Sequence, residues 1–185
     1  GIAAGVTNNA IGIAGASHNS KIMTCKIFPY ASDVAAANAI IYAADNGADI
    51  ISNSWGGGGS SATIQSAILY ARNTMGSVVL FASGNDGDSA PHYPGANDGV
   101  VCVGATNSSD GRASFSNYGS WVDMCSPGTN IWSAVDPSSP AHNNQYDAWD
   151  GTSMATPLAA GIAALIKSQF PNMGVDALEA RLMDG

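Results

Sequence analysis

Three segments rich in glycine and polar groups hold the residues that could do chemistry: Ser54-Trp55-Gly56-Gly57, Ser83-Gly84-Asn85-Asp86-Gly87 and Gly151-Thr152-Ser153-Met154-Ala155. The third places a serine among small residues just ahead of an apolar, helix-forming run. At a helix N-terminus the backbone N–H groups are unpaired and the macrodipole favours developing negative charge. A serine there can present its oxygen to an incoming carbonyl, although Thr and Ser at a helix start also serve as caps. Asn85 is an uncharged amide in a glycine-flanked loop after an apolar strand. That suits a donor to an oxyanion, and it equally suits a turn asparagine with positive φ. Taken singly, neither segment decides between the two readings.

The elements that must hold these loops can be read from hydrophobic spacing. Ser32 to Asn46 predicts a helix capped by Ser32 or Asp33, with Val34, Ala37, Ile40, Ile41 and Ala44 on its apolar face and Asn46-Gly47 as its stop. Asp49–Asn53 is short and β-branched and reads as a strand, and about Ala62 to Met75 as a second helix with an Ile64, Ala67, Ile68, Ala71 stripe. Val78–Ala82 and Val100–Val103 are continuous apolar strands. Strand, helix and strand in alternation point to a parallel sheet covered by helices, an α/β fold. In such a sheet ligands gather where loops leave the carboxyl ends of the strands, which is where the three chemical segments fall. Short strands are expected at Ser114–Asn117, Trp121–Met124 and Ile131–Ala134, then a polar loop through Asp150. A long helix from about Thr152 to Gln169 and a short one near Val175–Leu182 follow. No repeat, linker or low-complexity tail divides the chain.

Composition removes several partners. Six Lys/Arg against 14 Asp/Glu give a net charge of −8 with no basic cluster, so nucleic-acid binding has no electrostatic footprint. The longest apolar stretch, Leu158 to Ile166, is far short of the roughly 20 residues a membrane span needs. Charged residues make up 11%, against about 25% in ordinary domains, and 22 residues are glycine, as suits small-residue loops on a tight scaffold. The three cysteines have no metal-binding spacing and do not make a disulfide framework. At this length a core can form without one.

Together, ISNSWGG (Ile51–Gly57), FASGNDG (Phe81–Gly87) and above all GTSMATPLAAGIAALI (Gly151–Ile166) resemble the subtilisin-like serine proteases, the subtilases of peptidase family S8. The likeness continues through Val103–Gly119 and Val122–Gly128, so it covers nearly the whole chain in order. It implies a three-layer subtilisin-like α/β fold with a mainly parallel central sheet between helices. It also implies a serine endopeptidase acting on an extended peptide or protein substrate, monomeric and secreted. Ser153 would be the nucleophile that forms an acyl-enzyme, and Asn85 the oxyanion donor beside the Ser153 N–H, with Thr152 lending a weaker hydroxyl contact. In a member of this family, loss of that amide donor costs about 10²–10³ in turnover. Ser54, Trp55 and Gly56 would form the edge that pairs with substrate, and Ala82, Ser83 and Gly84 a wall of its pocket. His92, in His92-Tyr93-Pro94-Gly95, departs from the small residue usual at the pocket base. There it would shrink the pocket against large aromatic side chains, unless it points to solvent.

The family orders its triad Asp, His, Ser, and Gly1–Gly5 resembles the helix just after the histidine segment. On that likeness residues 1–185 are a partial catalytic domain whose aspartate and histidine lie upstream. Losing the histidine alone costs about 10⁶ in turnover in such enzymes, so this chain by itself is expected to be inactive. The absent strand would come from the sheet interior, so the chain alone is also expected to fold poorly or aggregate. His18, His92 and His142 do not match the histidine motif and are read as loop or surface residues. Thr7–Ile13 resembles a loop that wraps a structural calcium, with Thr7, Asn9, Ile11 and Ile13 as candidate ligands; a plain turn reads as well, and the chemistry requires no cofactor. Cys25 is expected buried in a strand (MTCKIF), and Cys102 and Cys125 on neighbouring strands, in contact or bridged. An α/β-hydrolase reading fails because no histidine follows Ser153. A dinucleotide site at Gly57-x-Gly59-x-x-Ala62 rests on a lone weak match. The remaining alternative is a non-catalytic subtilase-like peptide-binding or remnant domain.

Overall fold

Val78–Ala82 has no polar position to turn toward water, and the structure, a computed structural model, buries both of its faces. The structure describes residues 1–29, 31–136, 138 and 145–184. In chain order the elements are α1 (Asp33–Asp45), β1 (Ile50–Asn53), α2 (Ala62–Leu69), β2 (Val78–Ala82), β3 (Val101–Thr106), β4 (Met124–Pro127), β5 (Ile131–Ala134), β6 (Tyr146–Trp149), α3 (Thr152–Gln169) and α4 (Val175–Met183). Strands β1-β2-β3-β4 form one parallel sheet in that order, with Ile50 opposite Val78, Leu80 opposite Val101 and Val103 opposite Met124. Val79 and Phe81 pack against α1 and α2, while Val78 and Leu80 pack against α3 and α4. This is the three-layer α/β arrangement expected, with the helices on both sheet faces that parallel strands require.

Local chemistry explains the element ends. The Ser32 hydroxyl accepts the Ala35 N–H at 3.2 Å, Asn46 closes α1, and Gly47 follows at φ +80°. The second helix passes after Leu69 into a π-helical turn, Tyr70–Thr74, within the span read for a single helix. Arg72 on that turn forms ion pairs of 2.6 Å with both Asp176 and Glu179 of α4.

Five expectations are corrected. The buried face of α1 is Ala36, Ala37, Ile40, Ala43 and Ala44, with Val34 61% exposed, because α1 packs through its alanines on α2. Residues 114–117 are a turn held by Ser116 N–H to Ala113 O, not a strand. The strand read at Trp121–Met124 instead runs Met124–Pro127, in register with β3. The polar loop before Asp150 contains β6, which pairs antiparallel with β5 to form a separate two-stranded sheet. The MTCKIF segment forms no strand and leaves Cys25 exposed. No strand lies against it among the described residues, and a strand without a partner has no ladder to hold it.

That segment borders a groove of about 1370 Å³ that also runs along β1. Ile22, and Cys25 and Phe28 of that segment, line it together with Ile51 of β1, Ile40 of α1 and Ala164 of α3. The outer edge of β1 pairs with no strand among the described residues.

Candidate active site

α3 starts at the carboxyl end of the sheet, and its first turn is arranged around Ser153. Gly151 precedes it at φ +153°, donating its N–H to Gly128 O at 2.8 Å. Pro157 lies four residues after Ser153 and has no N–H, so the Ser153 carbonyl lacks its usual helical donor. The Ser54 hydroxyl takes that place, donating to Ser153 O at 3.0 Å. Ser54 therefore ties the loop after β1 to the turn that carries the serine. Pro157 was a readable signal for this that the sequence reading did not use.

The loop after β2 supplies the second half. Asn85 Oδ1 accepts from the Thr152 N–H and from the Thr152 hydroxyl, both at 2.9 Å. The Gly84 N–H in turn donates to Thr152 Oγ1 at 3.2 Å. Thr152 is fully buried. With its oxygen held twice, the Asn85 carboxamide leaves Nδ2 as a free donor; no group among the described residues accepts from it. The Ser153 N–H and Oγ likewise have no partner there. Unpaired donors on a helix N-terminus beside an unpaired hydroxyl can receive a carbonyl and stabilise the charge that attack would create on its oxygen.

Every residue read from the sequence as chemical or substrate-contacting lines one cavity of about 320 Å³. Ser54, Trp55 and Gly56 from the loop after β1, Ala82, Ser83, Gly84 and Asn85 from the end of β2, and Thr152, Ser153 and His92 all line it. Trp55 is fixed by its indole N–H on Asn53 Oδ1 at 3.1 Å and by edge packing on Phe81 at 5.0 Å. Gly57 N–H donates to Tyr93 O at 3.0 Å and Gly58 bridges Tyr93, closing the rim. The His92 ring stacks on Trp121, 6.3 Å between centroids, with Nδ1 3.6 Å from Asp86 and Nε2 3.8 Å from Asp88. Sequence did not signal Trp121, 29 residues away, which meets His92 only through the fold, whereas Asp88 lies four residues before it and was a readable neighbour. His18 is exposed, and His142 lies outside the described residues.

The loop at Thr7, Asn9, Ile11 and Ile13 lies away from this cavity. Its Asn9 Oδ1 accepts the Ile11 N–H at 3.2 Å, and Asn8, Ala10 and Gly12 all have positive φ. Among the described residues no group of three or more His, Cys, Asp or Glu could hold a metal. With the Asn9 amide oxygen engaged and no carboxylate among residues 7–13, this loop by itself offers a calcium ion only part of an oxygen shell. Cys102 and Cys125 are free thiols on adjacent strands, Cys102 buried and Cys125 exposed. Burial first, then Asp123 and Cys125, push the Cys102 thiol up to about 12.

Known proteins resemble the chain in sequence and in fold. A family model described as the subtilase family matches residues 1–185. The chain is 45% identical over 177 residues to a thermophilic serine proteinase of Bacillus sp. (strain AK1), covering 93% of this chain and 42% of that protein. It is 44% identical over 172 residues to thermitase of Thermoactinomyces vulgaris, covering 91% of this chain and 59% of that protein. A solved protease structure from Pseudoalteromonas arctica PAMC 21717 superposes with a TM-score of 0.85 at 37% identity, over 100% of this chain and 61% of that one. The chain thus spans only about half the length of the curated relatives it matches.

Proposed function

This chain belongs to the subtilase family, and from that premise we propose that it carries the nucleophile and oxyanion hole of a serine endopeptidase. In this reading Ser153 Oγ attacks the carbonyl carbon of a peptide bond while its proton passes to a base. Asn85 Nδ2 and the Ser153 N–H hold the oxyanion as the C–N bond breaks and the proton goes to the departing amine. Water then cleaves the Ser153 ester by the same route. The observation that carries the reading is the Asn85–Thr152 pairing: two bonds of 2.9 Å fix the amide oxygen and turn its N–H donors free.

The substrate is an extended peptide lying between Ser54–Gly56 and Ala82–Gly84, with His92 narrowing the pocket for the side chain before the cut. The enzyme acts as a secreted monomer, and a calcium ion, where bound, would be structural. No described residue hydrogen-bonds Ser153 Oγ, and a serine without a base is an ordinary alcohol near neutral pH. The proposal therefore assigns the base to a histidine outside these residues and makes the 185-residue chain inactive alone. The same observation favours a second reading, a peptide-binding module without chemistry. Fluorophosphonate labelling and peptide hydrolysis by the full gene product, against its Ser153→Ala variant, separate them. The peptidase reading requires both signals to vanish with Ser153; a folded product that binds peptide without either leaves the second.

A further inference from the structure

Asn117 plays no part in the reading above, yet it makes more bonds to the Asn85 loop than any other side chain in that region. It is 1% exposed, in the turn between β3 and β4. Its Oδ1 accepts the N–H groups of Asp86 at 2.9 Å and Asp88 at 3.3 Å, and its Nδ2 donates to Ser83 O at 2.9 Å. Its backbone joins in: Asn117 N–H donates to Gly84 O at 3.1 Å, and Ser83 Oγ donates to Asn117 O at 3.4 Å. Gly87 N–H to Phe115 O and Tyr118 N–H to Asp88 O, at 2.8 and 3.0 Å, complete the seam. The loop from Ser83 to Asp88 has no secondary structure of its own, so this one carboxamide supplies what a sheet or helix would. Gly84 is fitted to it. At φ +101°, a Cβ on Gly84 would lie 2.5 Å from Asn117 Nδ2, so the clamp and a side chain at residue 84 exclude each other.

We propose that Asn117 is a positioning residue for the oxyanion hole, acting through the Ser83–Asp88 backbone to hold Asn85 where its Nδ2 meets the developing charge. The inference rests on the peptidase reading for its consequence in turnover, and on the hydrogen bonds alone for the clamp. Asn117 holds Ser83 O before Asn85 and the Asp86 and Asp88 N–H groups after it, so releasing its side chain frees both flanks of Asn85 at once. A residue acting this way affects turnover only while Asn85 is present to be positioned.

A double-mutant cycle on the full gene product tests this, with Asn117→Ala and the volume-preserving Asn117→Asp each made alone and with Asn85→Ala. Amide exchange at Asp86 and Asp88 is followed alongside. Asn117→Ala is expected to lower kcat roughly 10- to 100-fold, below the ceiling set by losing the amide donor itself. In the Asn85→Ala background the further loss should be under about twofold, the signature of coupled residues. Exchange at Asp86 and Asp88 should become fast in Asn117→Ala and stay slow in Asn117→Asp, which keeps the acceptor oxygens. Should Asn117→Ala fail to fold, the Asp variant carries the cycle, with a smaller kcat loss that again vanishes without Asn85. Equal losses in both backgrounds, or slow exchange in Asn117→Ala, would overturn the proposal. A wild-type protein that hydrolyses no peptide would instead remove the peptidase reading, while the exchange result still decides whether the clamp exists.

Discussion

Thr152 commits its hydroxyl to Asn85 Oδ1 rather than to open solvent, so its contribution should run through the amide's orientation. Thr152→Val keeps the backbone N–H bond and loses the hydroxyl's, and should lower kcat roughly three- to tenfold with KM little changed, the worth of one hydrogen bond. Thr152→Ser should restore turnover in the same steady-state assay. His92 makes a separate prediction. With its ring stacked on Trp121 at the cavity wall, His92→Gly should raise cleavage after Phe relative to Ala or Leu. An unchanged ranking of those peptides would remove it as a specificity residue. Ser153 and Asn85 could be nominated from the sequence because the features that mark them are local (small neighbours, a helix start, a strand end), while only the family resemblance set that reading above a cap and a turn. Asn117 was not, because its side-chain partners are about 30 residues away and nothing in Ser114–Asn117 marks a clamp. Its spacing was read as a strand, although Asn117 faces inward to bond the Ser83–Asp88 loop and Ser116 to accept the Ala105 N–H of β3.

At the scale of elements, α3 and the strands β1, β2 and β3 were readable from apolar spacing, since buried parallel strands have few polar residues; β5, antiparallel and partly exposed, was readable only as a short strand between turns. β6 was not readable, because Tyr146–Trp149 is half polar and exists only through pairing with β5. The contact between the π-helical turn and α4 was equally hidden. There Arg72 meets Glu179, only 10% exposed in its side chain, through Nε at 3.1 Å and Nη2 at 2.6 Å. Removing one partner of a buried pair leaves an uncompensated charge, so Arg72→Met should cost about 2–4 kcal/mol of stability in the full gene product. Glu179→Gln should cost less, because it leaves no buried carboxylate. Chemical denaturation of the two variants compares them directly. The β3 strand adds a pH dependence. Cys102 is held up to about 12 against 9.0 for a free thiol. Between those values the unfolded chain releases the proton while the folded one keeps it, so stability should fall as pH rises through that window. Cys102→Ala should flatten the decline in Tm measured from pH 8 to pH 11.

For the whole molecule, abundant glycine has a structural place in the loops around the cavity of about 320 Å³, where Gly56, Gly57 and Gly84 contribute to the wall. The groove of about 1370 Å³ beside β1 weighs on the other side of stability. It leaves Ile22 at 64% and Phe28 at 57% exposure next to an unpaired strand edge, a combination that favours association. The 185-residue chain alone should therefore bind a hydrophobic dye and lack a sharp thermal transition. The most direct test of the central claim is mass-spectrometric mapping of fluorophosphonate on the full gene product. The account predicts one label on Ser153, slowed about 10²–10³ by Asn85→Ala and absent in Ser153→Ala. A folded product that takes no label at Ser153, or labels equally fast without Asn85, would contradict it.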